Sequence, residues 1–151
     1  MTSVFEKPEQ VSGYALHRAV TALAGGEHVV YRDDGAAVAI RTGAPIAPDV
    51  RLFTLKACVG KKNKGRHVYF ANGDWRARRA WLDTQAAQNG FEIITVHITD
   101  KREVIGKANP FSVDSTTFTG ALKVTDQEKF SAALDRGIGK CRTFGFGFLT
   151  I

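Results

Sequence analysis

The chain has 151 residues, 44% of them hydrophobic, and a formal net charge of +6. That length allows one domain or two very small ones, and no apolar run approaches the roughly 18 residues that a membrane-spanning helix needs. A sequence pI near 9.6 is the electrostatic footprint of a nucleic-acid binder.

The opening MTSVFEKPEQ carries Glu6 and Glu9 and lacks the apolar core of a signal peptide. A cytoplasmic protein is therefore expected. Cys58 and Cys141 are single and far apart in sequence, which predicts neither a disulfide framework nor a zinc site.

Residues 2–6 are too few to predict as a strand, and Pro8 ends whatever they form. Ser12 is placed to cap a helix that begins at Gly13 or Tyr14. Leu16, Val20 and Leu23 recur at helical spacing with Ala19 beside them, so they form the core-facing stripe. Tyr14, His17, Arg18 and Thr21 gather on the opposite face. Gly25-Gly26 stops the helix. Residues 28–32 and 36–42 read as a β-hairpin turned at Asp34-Gly35. The stretch 43–49, with Gly43, Pro45 and Pro48, is the best domain boundary.

RLFTLKACVG (51–60) is a strand whose apolar side is Phe53, Leu55, Ala57 and Val59. It runs into Lys61, Lys62, Lys64 and Arg66, set around Asn63 and Gly65. Such a tip is either merely solvated or a phosphate-contacting loop. Asp74 caps a helix that ends before Gly90, with Trp81, Leu82 and Ala86 inward and Arg76, Arg78 and Arg79 in solvent. Residues 91–99 form a strand. Residues 100–114, with Lys101, Arg102 and Lys107, form a polar, basic connection. Residues 115–125 form another strand. A capping box from Thr125 to Glu128 starts a helix with Phe130, Ala133 and Leu134 on its apolar face and Gly137 just past its end. The last strand spans 143–151, with Phe144, Phe146 and Phe148 on one core-facing side.

The closing RGIGKCRTFGFGFLTI holds Gly137, Gly139, Gly145 and Gly147 around Lys140 and Arg142. Glycine lets a backbone approach a ligand closely, and basic side chains beside it favour a polyanion. From residue 51 onward the order is strand, helix, strand, strand, helix, strand. This is the ferredoxin-like split βαβ, shared with RRM modules. The first 50 residues supply only the front half of such a unit. The predicted fold is α+β, two ferredoxin-like (RRM-like) units in tandem, with 1–50 abbreviated and 51–151 complete.

Three features now coincide: the tandem units, the Tyr14-Ala15-Leu16-His17-Arg18 segment on a polar helical face, and the glycine-rich end Gly137-Ile138-Gly139-Lys140 followed by Phe144-Gly145-Phe146-Gly147-Phe148-Leu149. Together they resemble the RAMP superfamily of CRISPR-associated proteins. More closely, the chain looks like the CasE family, the repeat-cutting endoribonuclease of the type I-E surveillance complex, Cascade. FTGALKVTDQEKFSAALDRGIGKCRTFGFGFL (118–149) is similar to that family's final strand, helix, loop and strand. LKACVGKK and residues 81–91 also fit. The chain is shorter than the family leads one to expect, because the second helix and fourth strand of the first unit are missing between Gly43 and Asp49.

The resemblance implies metal-independent cleavage of CRISPR precursor RNA at repeat hairpins. The substrate 2′-OH attacks the adjacent phosphorus and leaves a 2′,3′-cyclic phosphate. Tyr14 and His17 are the implied catalytic residues, with no metal and no small-molecule cofactor. Histidine titrates near neutral pH, so His17 can act as either base or acid. Arg18, Lys61, Lys62, Lys64, Arg66, Lys101, Arg102, Lys107, Gly137, Gly139, Lys140 and Arg142 are the expected RNA contacts. The expected partners are the CRISPR repeat RNA hairpin and other Cascade subunits. His28, His67 and His97 read as non-catalytic, and the absence of a His-x-His pair argues against metal-dependent transposase relatives of the fold. Two other readings remain at this stage. One is a non-catalytic RAMP-type scaffold that holds CRISPR RNA. The other is an RRM-type binder of single-stranded RNA, which needs exposed aromatics on a central strand.

Overall fold

The computed structural model describes residues 1–8, 11–26 and 29–151. The first 50 residues supply β1 (Thr2–Glu6), α1 (Gly13–Leu23), β2 (Val30–Asp33) and β3 (Ala37–Arg41). The strands pair antiparallel in the order β1-β3-β2. Residues 2–6, too short to predict from sequence, are held as a strand by full pairing with β3, from Thr2 opposite Arg41 to Glu6 opposite Ala37. The His28 expectation lies outside the described residues.

The second sheet contains β4 (Val50–Cys58), β7 (Phe91–Ile105), β8 (Phe111–Val124) and β9 (Phe148–Thr150). Its order is β7-β8-β4-β9, antiparallel throughout. That is the ferredoxin-like arrangement. The first sheet repeats it without the outer fourth strand. Between β4 and β7 come the small hairpin β5 (Lys61–Asn63) and β6 (Arg66–Val68), then α2 (Trp75–Gln88). Helix α3 (Gln127–Arg136) follows β8.

Alternation along β4 sends Phe53, Leu55 and Ala57 to one side of the sheet. There they meet Leu82 and Ala86 of α2, Phe118 and Leu122 of β8, and Phe130 and Ala133 of α3. The opposite side of β4 is covered as well, over its first half. Leu52, Val50 and Ala121 lie beneath Leu16, Ala19, Val20 and Leu23 of α1, and Val38 and Ile40 of β3 complete the same cluster. Helix α1 thus joins the two sheets through one shared core. Each fully buried Leu or Val there contributes about 1.5–3 kcal/mol.

Four expectations are corrected. Residues 100–114 are not a connection but the distal half of the β7/β8 hairpin, paired from Asp100↔Thr116 to Ile105↔Phe111. Lys101, Arg102 and Lys107 are tolerated there because they are exposed, and Glu103 lies between Lys56 and Lys101, at 3.2 Å from each. Near its base, β7 bulges between Ile93 and Thr95. Gly120 lies opposite, and a Cβ on it would run into the Thr95 carbonyl. The cap of α3 is Asp126, which accepts from the Lys129 amide at 3.1 Å, rather than Thr125. The chain end is not a continuous strand: a 3-10 turn, Arg142–Phe144, precedes the short β9. Phe146 alone of the three phenylalanines is buried, at 6% exposure, while Phe144 and Phe148 are 53% and 72% exposed. Gly145 and Gly147, at φ +86° and +84°, bend the backbone out of strand geometry and cancel the period-2 pattern.

The last correction concerns Arg78, expected in solvent and found fully buried. Its Nε donates to Thr116 Oγ1 at 3.0 Å and its Nη1 to the carbonyls of Ala71 and Asp74 at 2.8 and 3.0 Å. Its Nη2 donates to the Asp114 carboxylate, which is equally buried, and lies 3.4 Å from Asp100. The planar fork of arginine suits such a many-partnered site. It ties the first turn of α2 to β7 and β8. No helix among the described residues is long and apolar enough to cross a membrane.

Candidate active site

Ser12 is the N-cap of α1 as its sequence suggests, although its side chain makes no capping bond. Helical spacing then sends Leu16, Ala19, Val20 and Leu23 into the core and leaves Tyr14, His17 and Arg18 on the open face. Tyr14 is 73% exposed. Its ring centroid lies 6.3 Å from that of His17, in near-parallel planes. The ring centroid of Tyr31 of β2 lies 6.2 Å from that of His17. The Arg18 guanidinium lies 6.0 Å from the Tyr14 ring. The result is an imidazole with two phenols near it and a cation beside one of them. Sequence reasoning missed Tyr31. No local signal marks it, because Tyr31 reaches His17 only through the core that α1 shares with the first sheet, which is a tertiary fact.

The glycine loop does not contact this group. It closes on itself and on the far end of β4. Ile138 donates to the Gly147 carbonyl at 2.9 Å, and Gly147 donates to the Lys56 carbonyl at 2.8 Å. A Cβ on Gly147 would run into the Ile138 backbone, and one on Gly139 would press on the Trp81 ring. Arg142 donates to the Arg136 carbonyl at the end of α3. Lys140 is exposed and bridges its backbone to Cys58. Loop and helix still share one sheet face. By alternation, Leu52, Thr54, Lys56 and Cys58 point the same way. Leu52 lies under α1, Cys58 lies against Phe146, and the Lys56 ammonium sits 5.3 Å from the Phe146 ring. Tyr14 and the loop therefore stand at two ends of one polar strip that includes Thr54, Lys56, Thr117 and Thr119.

The other expected contacts divide into free and engaged cations. Lys61, Lys62, Lys64 and Arg66 are all exposed on the β5/β6 hairpin, turned at Lys64 and Gly65 with φ of 50° and 77°. Lys107 is exposed at the turn of the long hairpin. Lys101 pairs with Glu103. Arg102 lies 4.9 Å from the Tyr69 ring and donates to the Phe70 carbonyl at 3.2 Å, so it holds the base of the small hairpin to β7. His67 packs edge-on against Tyr69 at 4.9 Å. Burial, and Lys140 nearby, hold its imidazole below the ordinary value. Cys58 and Cys141, remote in sequence, are neighbours. Burial and the adjacent Cys141 push the Cys58 thiol up to about 12, so it is protonated at neutral pH and a poor nucleophile.

Residues 41–151 match the family model described as CRISPR associated protein. The chain belongs to that family. Its fold is that of solved relatives. A CRISPR endoribonuclease Cse3 bound to a 19-nucleotide RNA is 21% identical, with a TM-score of 0.61 over 99% of this chain and 96% of that one. Thermus thermophilus Cse3, bound to an RNA representing a pre-cleavage complex, is 19% identical, with a TM-score of 0.60 over 99% and 96%. Cas6e from Escherichia coli K-12 is 18% identical, with a TM-score of 0.52 over 99% and 97%. No curated protein matches the chain. The expected resemblance to CRISPR-associated proteins is borne out by the family match over residues 41–151, and the fold is the one seen in the Cse3 and Cas6e structures.

Proposed function

We propose that this protein is an endoribonuclease that cleaves CRISPR precursor RNA at repeat hairpins, keeps its product, and works with other Cascade subunits. Its two units have separate tasks: residues 1–50 carry the catalytic helix, and residues 51–151 carry the basic hairpins and the glycine loop. The observation that carries the reading is the exposed Tyr14–His17 pair on α1, 6.3 Å between ring centroids, in the fold of a solved structure named as a CRISPR endoribonuclease bound to RNA.

The chemistry follows from what these groups can exchange. The 2′ oxygen forms a bond to phosphorus while the bond to the 5′ oxygen breaks. One proton leaves the 2′-OH and one reaches the departing oxygen. His17 carries one of these transfers, a step worth about 10²–10⁴-fold. Tyr14 and Tyr31 each offer a phenolic O–H to orient the phosphate or the imidazole. Arg18 balances the charge that builds on the phosphorane. In-line positioning of the strand supplies much of the rest. No step requires a metal ion.

The test is single-turnover cleavage of the host's own repeat hairpin in EDTA. Cleavage is expected to give a 2′,3′-cyclic phosphate, to stop with a 2′-deoxy nucleotide at the scissile position, and to fall by about 10²–10⁴-fold in His17→Ala. Full activity of that variant would sink the assignment. Tight binding of the hairpin by wild-type protein without any cutting would make the chain a scaffold instead.

A further inference from the structure

Strand β7 is the outer strand of the second sheet and has no partner beyond it among the described residues. A cleft of about 380 Å³ opens on that edge at Val96, His97 and Ile98. Two helices wall it from opposite faces of the sheet. Arg18 reaches it from α1, and Trp75 and Arg79 reach it from α2. A second cleft, lined by Tyr14, Thr99 and Thr117, begins on the other side of His97. His97 lines both, and Tyr14, the neighbour of His17, lines the second.

The lining has features that core packing does not explain. Trp75 is 59% exposed, with the Arg76 guanidinium 5.4 Å from its ring centroid. An indole left this open forgoes much of the stabilisation its burial would bring. The Arg79 Nε is fixed by Asp83 at 3.1 Å, which leaves its two terminal nitrogens for another acceptor. No carboxylate among the described residues pairs with Arg18. The free edge of β7 turns alternate backbone N–H and C=O groups outward.

We propose that this cleft takes one unpaired nucleobase of the RNA, stacked on Trp75, with the flanking phosphates held by Arg18 and Arg79. A base within a duplex has both faces covered by its neighbours, so only an unpaired one can present a face to the indole. The backbone edge at 96–98 supplies donors and acceptors for the edge of that base. Arg18 then has two jobs, anchoring the strand outside the hairpin and serving the phosphate at His17. The inference rests on the RNA-cleaving function proposed above.

Two RNAs test it: the host's repeat as a bare hairpin, and the same hairpin carrying about four unpaired nucleotides on each side. Trp75→Ala is expected to weaken binding of the flanked RNA roughly tenfold and leave the bare hairpin unchanged, with Trp75→Phe recovering most of the loss. The flanked RNA is also expected to quench tryptophan fluorescence in the wild type and not in Trp75→Ala, where Trp81 remains as background. Exposure of Trp75 predicts unchanged melting temperatures for both variants. Equal losses for the two RNAs, or no loss for either, would overturn the base pocket while leaving the cleavage function standing. Failure of the wild type to bind either RNA would overturn both.

Discussion

Helix α1 turns Tyr14, His17 and Arg18 to water, whereas α2 turns Arg78 inward onto Asp114, Asp100 and Thr116. Both helices lie on the same sheet, on opposite faces, and both carry polar groups beside an apolar stripe. The difference lies in what the sheet offers beneath them. Under α1 it presents Leu52 and Ala121, so only apolar side chains can be buried there and the polar ones are displaced to the rim. Under the start of α2 it presents a buried carboxylate and a hydroxyl, so a guanidinium is drawn in. One helix leaves its polar groups open to solvent and the other commits its arginine to the fold.

The comparison can be broken at either helix. The largest effect is expected at His17, whose replacement by Ala should cost the 10²–10⁴-fold in cleavage noted above while leaving the melting curve in place. A drop in melting temperature would mean the open face of α1 also serves the fold. Arg78→Ala should do the reverse. It leaves Asp114 buried without its main partner, a loss of about 3–5 kcal/mol, measured by urea unfolding. Stability within 1 kcal/mol of wild type would show that α2 does not depend on this site.

Two smaller effects sharpen the contrast between free and engaged cations. Replacing Lys61, Lys62 and Lys64 together by Ala should weaken hairpin binding more than single-turnover cleavage at saturation. It should also lower the slope of log affinity against log salt by roughly 2–3. An unchanged slope would remove the β5/β6 hairpin from the interface. The smallest effect concerns His67. Its folded-state value is held below the unfolded one, so the unfolded chain takes up the proton more readily. The stability it contributes is full above about pH 6.5 and falls as pH drops through that value. Melting temperature should therefore decline between pH 7.5 and 5.5, and decline less in His67→Gln. An equal decline in both proteins would show that His67 is not responsible.

Legibility followed the range of the interactions. The α1 stripe was readable because Leu16, Val20 and Leu23 satisfy a local period. So was the Asp74 cap, which accepts from the Ala77 amide three residues on, at 3.1 Å. The turn at Asp34-Gly35 and the paired arrangement of β4, α2, β7, β8, α3 and β9 were equally accessible. The phenylalanine stripe misled because two intervening glycines with positive φ override side-chain alternation, and the sequence does not announce which glycines will use that freedom. The long arm of β7 and β8 misled because polar residues between two strands look like a loop until their cross-strand partners are known.

By itself the sequence determined the order of strands and helices, the basic composition, and the pairing of Tyr14 with His17, which needs only one turn of helix. Tertiary structure alone decided the rest. It brought Tyr31 beside His17, carried Arg78 inside, and set the glycine loop at the far end of the strip rather than against α1. It also aligned Arg18, Trp75 and Arg79 around the free edge of β7. Each of these depends on residues dozens of positions apart meeting across a sheet, and such meetings are set by which face of β4 and β8 each helix covers.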